Sequence, residues 1–299
     1  MTLQQLKYVV TVAECGNITE AAKQLFVSQP TVTSAIHDLE KEMQIVIFIR
    51  TNKGVILSED GERFLGHARQ VLEQVDLIEG IYKDDVVSKP HFAVSCQHYS
   101  FAVNAFVDVI RKFDAYQYDF TIREEQTHEI IEDVTNLKSE LGVIYLSSKN
   151  TEVLSKMLKR NELEFTELFT ATPHVFICDS HPLASKNSIT MDDLQDYPYL
   201  TYEQGEYNSQ YFSEEFVSTL DSRKNIRVRD RATLFNLIIG LNGYTVCSGV
   251  ISAELNGRNI ISKPLDVEEY MRIGIISRKG VVLSRYAREY VDALKVHCM

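Results

Sequence analysis

Apolar positions in the first sixty residues recur at helical spacing. Leu3, Leu6, Val9, Val10 and Ala13 predict an amphipathic first helix. Ala21, Ala22 and Leu25 give a second, short helix a small apolar face, and Val32, Ile36 and Leu39 give a third its own. Ser28 is placed to cap that third helix, with Pro30 in its first turn. Two short helices in this order, with small residues where they cross, form a helix-turn-helix whose second member fits the DNA major groove. Phe48 to Arg50 and Val55-Ile56-Leu57 then predict two short strands around the turn Thr51-Asn52-Lys53-Gly54, a wing beside the third helix.

Ser58 begins a long helix with acidic residues in its first turn, where they complement the helix dipole. Phe64, Ala68, Val71, Val75, Ile78 and Tyr82 form a heptad seam along it. One apolar stripe on one long helix predicts a partner, and an identical partner gives a two-fold dimer. Asp84 through Pro90 breaks the pattern and predicts a hinge.

From His91 onward short strands alternate with helices. His91–Cys96, Asp119–Arg123 and Leu141–Leu146 are predicted strands; Phe101–Phe113 and Glu129–Leu137 are predicted helices. This alternation implies βαβ units around a mostly parallel sheet. The style repeats between Phe165 and Val250, which predicts a second α/β subdomain, and the strand Met271–Ser277 with the helix Ser284–Val296 returns to the first.

Composition narrows the classes. No apolar run is long enough to span a membrane, and the N-terminus lacks a basic-then-apolar signal, so a cytoplasmic protein is expected. The five cysteines (Cys15, Cys96, Cys178, Cys247, Cys298) are scattered without metal-ligand spacing, as free thiols in a reducing compartment would be. The net charge of −11 gives no global basic footprint for nucleic acid. Phosphate contacts must therefore come from helix N-termini, hydroxyls and wing cations. No phosphate-cradling glycine loop, nucleophile elbow or metal site is present, so neither a cofactor nor catalysis is expected. The carboxylate pairs Glu124-Glu125, Asp192-Asp193, Glu214-Glu215 and Glu268-Glu269 are expected on solvated faces.

The candidate DNA-contacting residues are Ser28, Gln29, Pro30, Thr31, Thr33, Ser34 and His37 on the third helix, and Arg50, Asn52 and Lys53 on the wing. Gln pairs with adenine edges, and Thr and Ser donate to bases or phosphates. The chain resembles the LysR-type transcriptional regulators. The likeness is carried by Leu3, Leu6, Tyr8, Val12, Ala21-Ala22, Leu25, Ser28-Gln29-Pro30, Ile36, Leu39-Glu40, Phe48, Arg50, Leu57 and Gly61, and by His181-Pro182-Leu183-Ala184 with Ile189-Thr190 and Leu194. Where relatives often carry basic residues, near Ser34 and at His37, this chain departs from them.

The resemblance implies a mixed architecture: a mainly α winged helix-turn-helix domain over residues 1–58, a dimerisation linker helix over 59–86, and a two-lobed α/β effector-binding domain of periplasmic-binding-protein type. Lobe 1 would comprise 91–163 and 268–299, and lobe 2 would comprise 164–267. It implies promoter DNA and a small effector as partners, RNA polymerase as a further one, and homodimers assembling into a homotetramer. The effector-binding positions it implies are Ser95, Gln97, Tyr99, Ser100, Tyr145, Ser147, Thr201, Tyr202 and Ser248. These are hydroxyls, an amide and aromatics with few obligatory charges, so an anionic or zwitterionic metabolite is expected, held by helix N-termini. Two other readings stand beside this one. The first is a thiol-based redox regulator using Cys178 and Cys247, similar to the peroxide-sensing branch. The second is a solute-binding or enzymatic α/β protein with an incidental helical N-terminus.

Overall fold

The computed structural model describes residues 1–52, 54–82, 90–113, 117–205, 211–215, 223–251 and 259–298. The chain divides into two compact units, one built mainly from residues 1–90 and one from 91–299.

In the first unit, α1 (Leu3–Cys15) starts from a capping box in which Thr2 and Gln5 satisfy each other's backbone N–H groups. Asn17 caps α2 (Ile18–Gln24), and Ser28 caps α3 (Gln29–Met43). Their inner faces meet in one core of Val9, Val12, Ala21, Ala22, Val32, Ile36, Leu39 and Ile47. The small side chains of Ala21 and Ala22 are what let α2 approach so closely. β1 (Phe48–Thr51) and β2 (Gly54–Leu57) pair antiparallel as a two-stranded wing. Lys53, at the wing tip, lies outside the described residues.

α4 (Glu59–Tyr82) follows and packs on α1. Its start is locked by Gly61, where a Cβ would stand only 2.1 Å from the Ile47 carbonyl oxygen. The expected seam along α4 is only partly free. Phe64 packs against the core of this unit and Ala68 is buried, so both are used inside the protomer. Val71 and Ile78 are exposed and Val75 is half-buried; the Tyr82 side chain lies outside the described residues.

The second unit opens with β3 (His91–Cys96), α5 (Ser100–Phe113), β4 (Asp119–Glu124), α6 (Thr127–Thr135), β5 (Leu141–Leu146), α7 (Thr151–Arg160) and β6 (Leu163–Ala171). β7 (His174–Cys178), β8 (Tyr199–Tyr202), β9 (Asn225–Val228), α8 (Arg231–Leu241), β10 (Thr245–Cys247) and β11 (Ile260–Pro264) come next. β12 (Met271–Arg278) and α9 (Arg285–His297) close the chain. The larger sheet has the order β4-β3-β5-β12-β6, with β3 parallel to β4 and β5, and β12 antiparallel to β5 and β6. Because β6 is hydrogen-bonded to β12 from Leu163 to Ala171, residues 164–171 lie in the first lobe's sheet rather than in the second lobe. The crossing falls after Ala171. The smaller lobe carries a β10-β7-β11 sheet and a parallel β8-β9 pair.

One apolar cluster runs through both lobes, from Phe92, Phe101 and Ile273 to Val175, Ile177, Tyr199 and Tyr244. Burial on this scale is what holds the lobes as one body, at roughly 25 cal/mol per Å² of apolar surface. Among the described residues no helix is long and apolar enough to cross a membrane.

Candidate functional site

The first unit presents an open groove of about 520 Å³ between α3 and the wing. Gln29, Pro30, Thr33, Ser34 and His37 line it from α3, and Phe48, Arg50 and Val55 from the strands. Ser34, His37 and Arg50 are exposed. Gln29 Nε2 donates to Thr33 Oγ1 at 3.0 Å, which holds an amide and a hydroxyl on one face. Ser28 and Thr31 are turned to each other instead. The Ser28 hydroxyl accepts from the Thr31 backbone N–H at 3.3 Å and shares a hydrogen bond with its hydroxyl at 2.7 Å, so both shape the helix end and neither lines the groove. Asn52 is exposed at the wing turn, outside the groove lining.

Two residues here escaped the sequence reading of function. Glu40 Oε1 accepts from the backbone N–H groups of Ile47 at 2.7 Å and Phe48 at 3.1 Å, which pins the wing to α3. Phe26, between α2 and α3, is 95% exposed and sits at φ 56°. A bare aromatic in left-handed backbone at this turn is costly unless something covers it, and only the turn geometry would have revealed it.

The second unit has a cleft where the ends of β3 and α5 face the smaller lobe. Of the nine expected effector positions, Tyr99, Ser100, Tyr202 and Ser248 line it. The others do not. Ser95 is fully buried and hydrogen-bonds to Asp133 and Ser139 inside lobe 1. Gln97 is a buried brace: its Nε2 donates to Thr127 Oγ1 at 2.7 Å, and its Oε1 accepts from the Tyr99 hydroxyl and the Tyr145 N–H, each at 3.0 Å. Tyr145 is buried beneath that brace. Ser147 is buried in the turn into α7, where its N–H donates to Asn150 Oδ1 at 2.7 Å. Thr201 is half-buried on β8, away from the lining.

Charges fill much of the cleft, contrary to the expectation from sequence. Glu214 and Glu215 line it and are only 6% and 2% exposed, so this pair is not on a solvated face. His98, from lobe 1, lies with Nδ1 2.8 Å from Glu214 Oε2 and its ring stacked on Tyr202 at 3.8 Å. Glu124, at the end of β4, pairs across the cleft with Arg231 at 3.0 Å. Glu215 Oε1 accepts from the Tyr202 N–H at 2.6 Å and its Oε2 from the Ser213 hydroxyl at 3.0 Å.

The electrostatic consequences follow from burial. Burial, reinforced by the adjacent Glu214 carboxylate, pushes the Glu215 carboxyl up to about 8. Burial alone would depress the His98 imidazole, but the Glu214 carboxylate beside it wins and the net shift is upward. Burial also raises Glu124, against the pull of Arg231.

The lobes are further tied by the Thr127 N–H donating to Gln204 Oε1 at 3.2 Å, and by its hydroxyl donating to the Phe212 carbonyl at 2.8 Å. The free volume between them is about 40 Å³, room for about one water. Gly249 shapes the rim: its φ is +84°, and a Cβ there would strike the His174 ring at 2.7 Å.

The thiols do not form a switch pair. Cys247 sits opposite His174 in the β7–β10 register, four residues along β7 from Cys178. At about 3.3 Å per residue the two are roughly 13 Å apart, beyond the ~7 Å that a disulfide bridges. Burial also raises the Cys247 thiol well above its ordinary range, which suppresses the reactive thiolate.

Residues 3–62 match the family described as "Bacterial regulatory helix-turn-helix protein, lysR family", and residues 96–299 match "LysR substrate binding domain". The chain is 26% identical over 302 residues to the uncharacterized HTH-type transcriptional regulator YbhD of Escherichia coli, covering 98% of this chain and 90% of that one. It is 27% identical over 207 residues to the uncharacterized HTH-type transcriptional regulator YvbU of Bacillus subtilis, covering 69% and 67%. Among solved structures, a full-length OxyR variant from Pseudomonas aeruginosa superposes with a TM-score of 0.68 at 22% identity, covering 99% of this chain and 95% of that one. At that identity the likeness is one of fold.

Proposed function

The chain belongs to the LysR family of bacterial transcriptional regulators, and from that premise we propose how its two sites divide the work. It is a DNA-binding transcriptional regulator with an effector-binding domain, and its role is regulatory rather than catalytic. α3 enters the major groove with Gln29, Thr33, Ser34 and His37 facing base edges and phosphates, while Arg50, Asn52 and Lys53 hold the adjacent backbone. The observation that carries this reading is the groove itself: polar side chains of α3 and a wing cation share one open concave face, and Glu40, within that face, ties the start of the wing to α3.

The effector acts in the second unit. A small molecule entering the cleft must part or rearrange the His98–Glu214 and Glu124–Arg231 bridges, so it favours one arrangement of the lobes over another. A bias of a few kcal/mol suffices to switch an oligomer. The protein acts on promoter DNA in the cytoplasm, as a dimer through α4 that assembles further to a tetramer, and engages RNA polymerase there.

The dimer carries a direct test. Val71 is 41% exposed and Ile78 59% exposed on one side of α4. Replacing both, Val71→Asp with Ile78→Asp, puts charges into the seam without touching the core. The expected result in sedimentation velocity is a shift to monomer, with operator affinity reduced by about 100-fold or more as one half-site's contacts are lost. An unchanged sedimentation coefficient with unchanged operator binding refutes α4 as the dimer element.

A further inference from the structure

The cleft carries two unmet demands of opposite sign. On one side, Arg231 Nη1 and the hydroxyl of Thr245 are buried with no hydrogen-bond partner among the described residues, and both residues line the cleft. Thr245 is only 3% exposed. Arg231 opens α8, whose first turn adds the positive end of a helix dipole. A buried guanidinium N–H and a buried hydroxyl left unpaired cost free energy that an anionic oxygen, a carboxylate above all, removes. On the other side, Glu214 and Glu215 stand side by side, nearly excluded from solvent, and the His98 imidazole pairs with Glu214. Burial, with Glu214 adjacent, keeps a proton on Glu215 up to about 8, and a cation brought beside the pair takes that proton's place. A ligand ammonium supplies that cation. Phe176, Phe235, Val246 and Val250 give the wall an apolar part.

We propose that the effector is an amino acid, bound as a zwitterion with its carboxylate on Arg231 and Thr245 and its ammonium at the Glu214–Glu215 pair. This rests on the assignment of the cleft as the effector site and names what enters it. A simple anion satisfies Arg231 and Thr245 but adds negative charge beside two glutamates. A simple amine satisfies the glutamates but leaves the guanidinium and hydroxyl orphaned. Only a molecule with both groups meets both demands, and its side chain rests on the two phenylalanines.

The test is calorimetric titration of the full chain with the common L-α-amino acids, and with β-alanine and 4-aminobutyrate to cover wider charge separations. For each amino acid that binds, the deaminated acid and the decarboxylated amine are titrated beside it. The expected result is that at least one amino acid binds and that removal of either charged group weakens binding about tenfold or more. Thr245→Val, which keeps the shape and removes the hydroxyl, weakens binding similarly; Thr245→Ser restores it, which separates a ligand contact from a folding defect. Glu215→Gln lowers affinity for the amino acid while leaving that for its deaminated analogue unchanged or higher. The proposal is overturned if none of the amino acids binds, or if either single-charge analogue binds as well as its parent. Operator binding is measured on the same samples. A chain that shifts its operator but binds no amino acid loses the ligand class alone, whereas a chain that ignores DNA loses the regulatory assignment.

Discussion

Ser34→Glu is expected to reduce operator affinity by about 100-fold, near 2.7 kcal/mol, with no loss of fold. Ser34 is exposed on the groove face of α3, away from Val32, Ile36 and Leu39, which are buried. A carboxylate there meets the phosphates and the acceptor edges of the bases, while the helix keeps its cap and its core. A thermal midpoint within a degree or two of the parent, with the gel shift lost, is the signature of a contact residue. Retained affinity places the reading face elsewhere on α3. The negative net charge of the chain makes this position more exacting, because no surplus of cations is available to hold the duplex nonspecifically.

Glu215→Gln is expected to stabilise the second unit at pH 8 and to flatten its pH dependence. The folded-state pKa of about 8 lies above the ordinary value of 4.5, so the folded chain holds a proton that the unfolded chain releases between those limits. Stability therefore falls as pH rises from about 4.5 to about 8, and above that window the full penalty applies. At about 1.4 kcal/mol per pKa unit the penalty amounts to a few kcal/mol, or a midpoint shift on the order of 5–10 °C for a domain of this size. His98 works in the same direction. Its raised pKa stabilises the fold fully below about 6.5, and that contribution is lost as pH rises through the folded value. Differential scanning calorimetry from pH 5 to pH 8 checks both. The parent should lose stability along the series, and the glutamine variant should lose less and unfold later at pH 8. A variant that tracks the parent at every pH contradicts the buried, proton-holding Glu215.

These outcomes also indicate which parts of the molecule were legible from sequence. The DNA-reading unit was, because its signals are local. Ser28 and Pro30 mark a helix start, Ala21 and Ala22 mark a close crossing, and the spacing of Val32, Ile36 and Leu39 fixes the inner face. The sides of α3 follow from that without further information. The seam on α4 was legible as a stripe, but not which of its residues meet the protomer's own core; Phe64 and Ala68 turn inward because α1 packs there.

The cleft was legible only in outline. Strand ends put Tyr99, Ser100, Tyr202 and Ser248 on the cleft wall, since the ends of strands in an α/β fold open toward the crevice. Ser95 and Gln97 were misplaced because residues on one strand end alternate between cleft and core, and the register depends on partners such as Thr127, Asp133 and Ser139. Glu214 and Glu215 were misread for a deeper reason. Adjacent carboxylates are nearly always solvated, and only the closure of the lobes, with Tyr202 and His98 folded over them, takes them out of water. The boundary at 164 failed similarly: β6 joins its sheet through β12, a partner about a hundred residues away.

We propose that α3 and the wing read a specific duplex while α4 holds two copies in two-fold symmetry. Selection of the full chain against a library of random duplexes tests it most directly. The expected result is enrichment of a dyad-symmetric site whose half-sites lie about one helical turn, or a whole number of turns, apart. Recovery of no enriched sequence, or of a single asymmetric site bound by one copy, would contradict it.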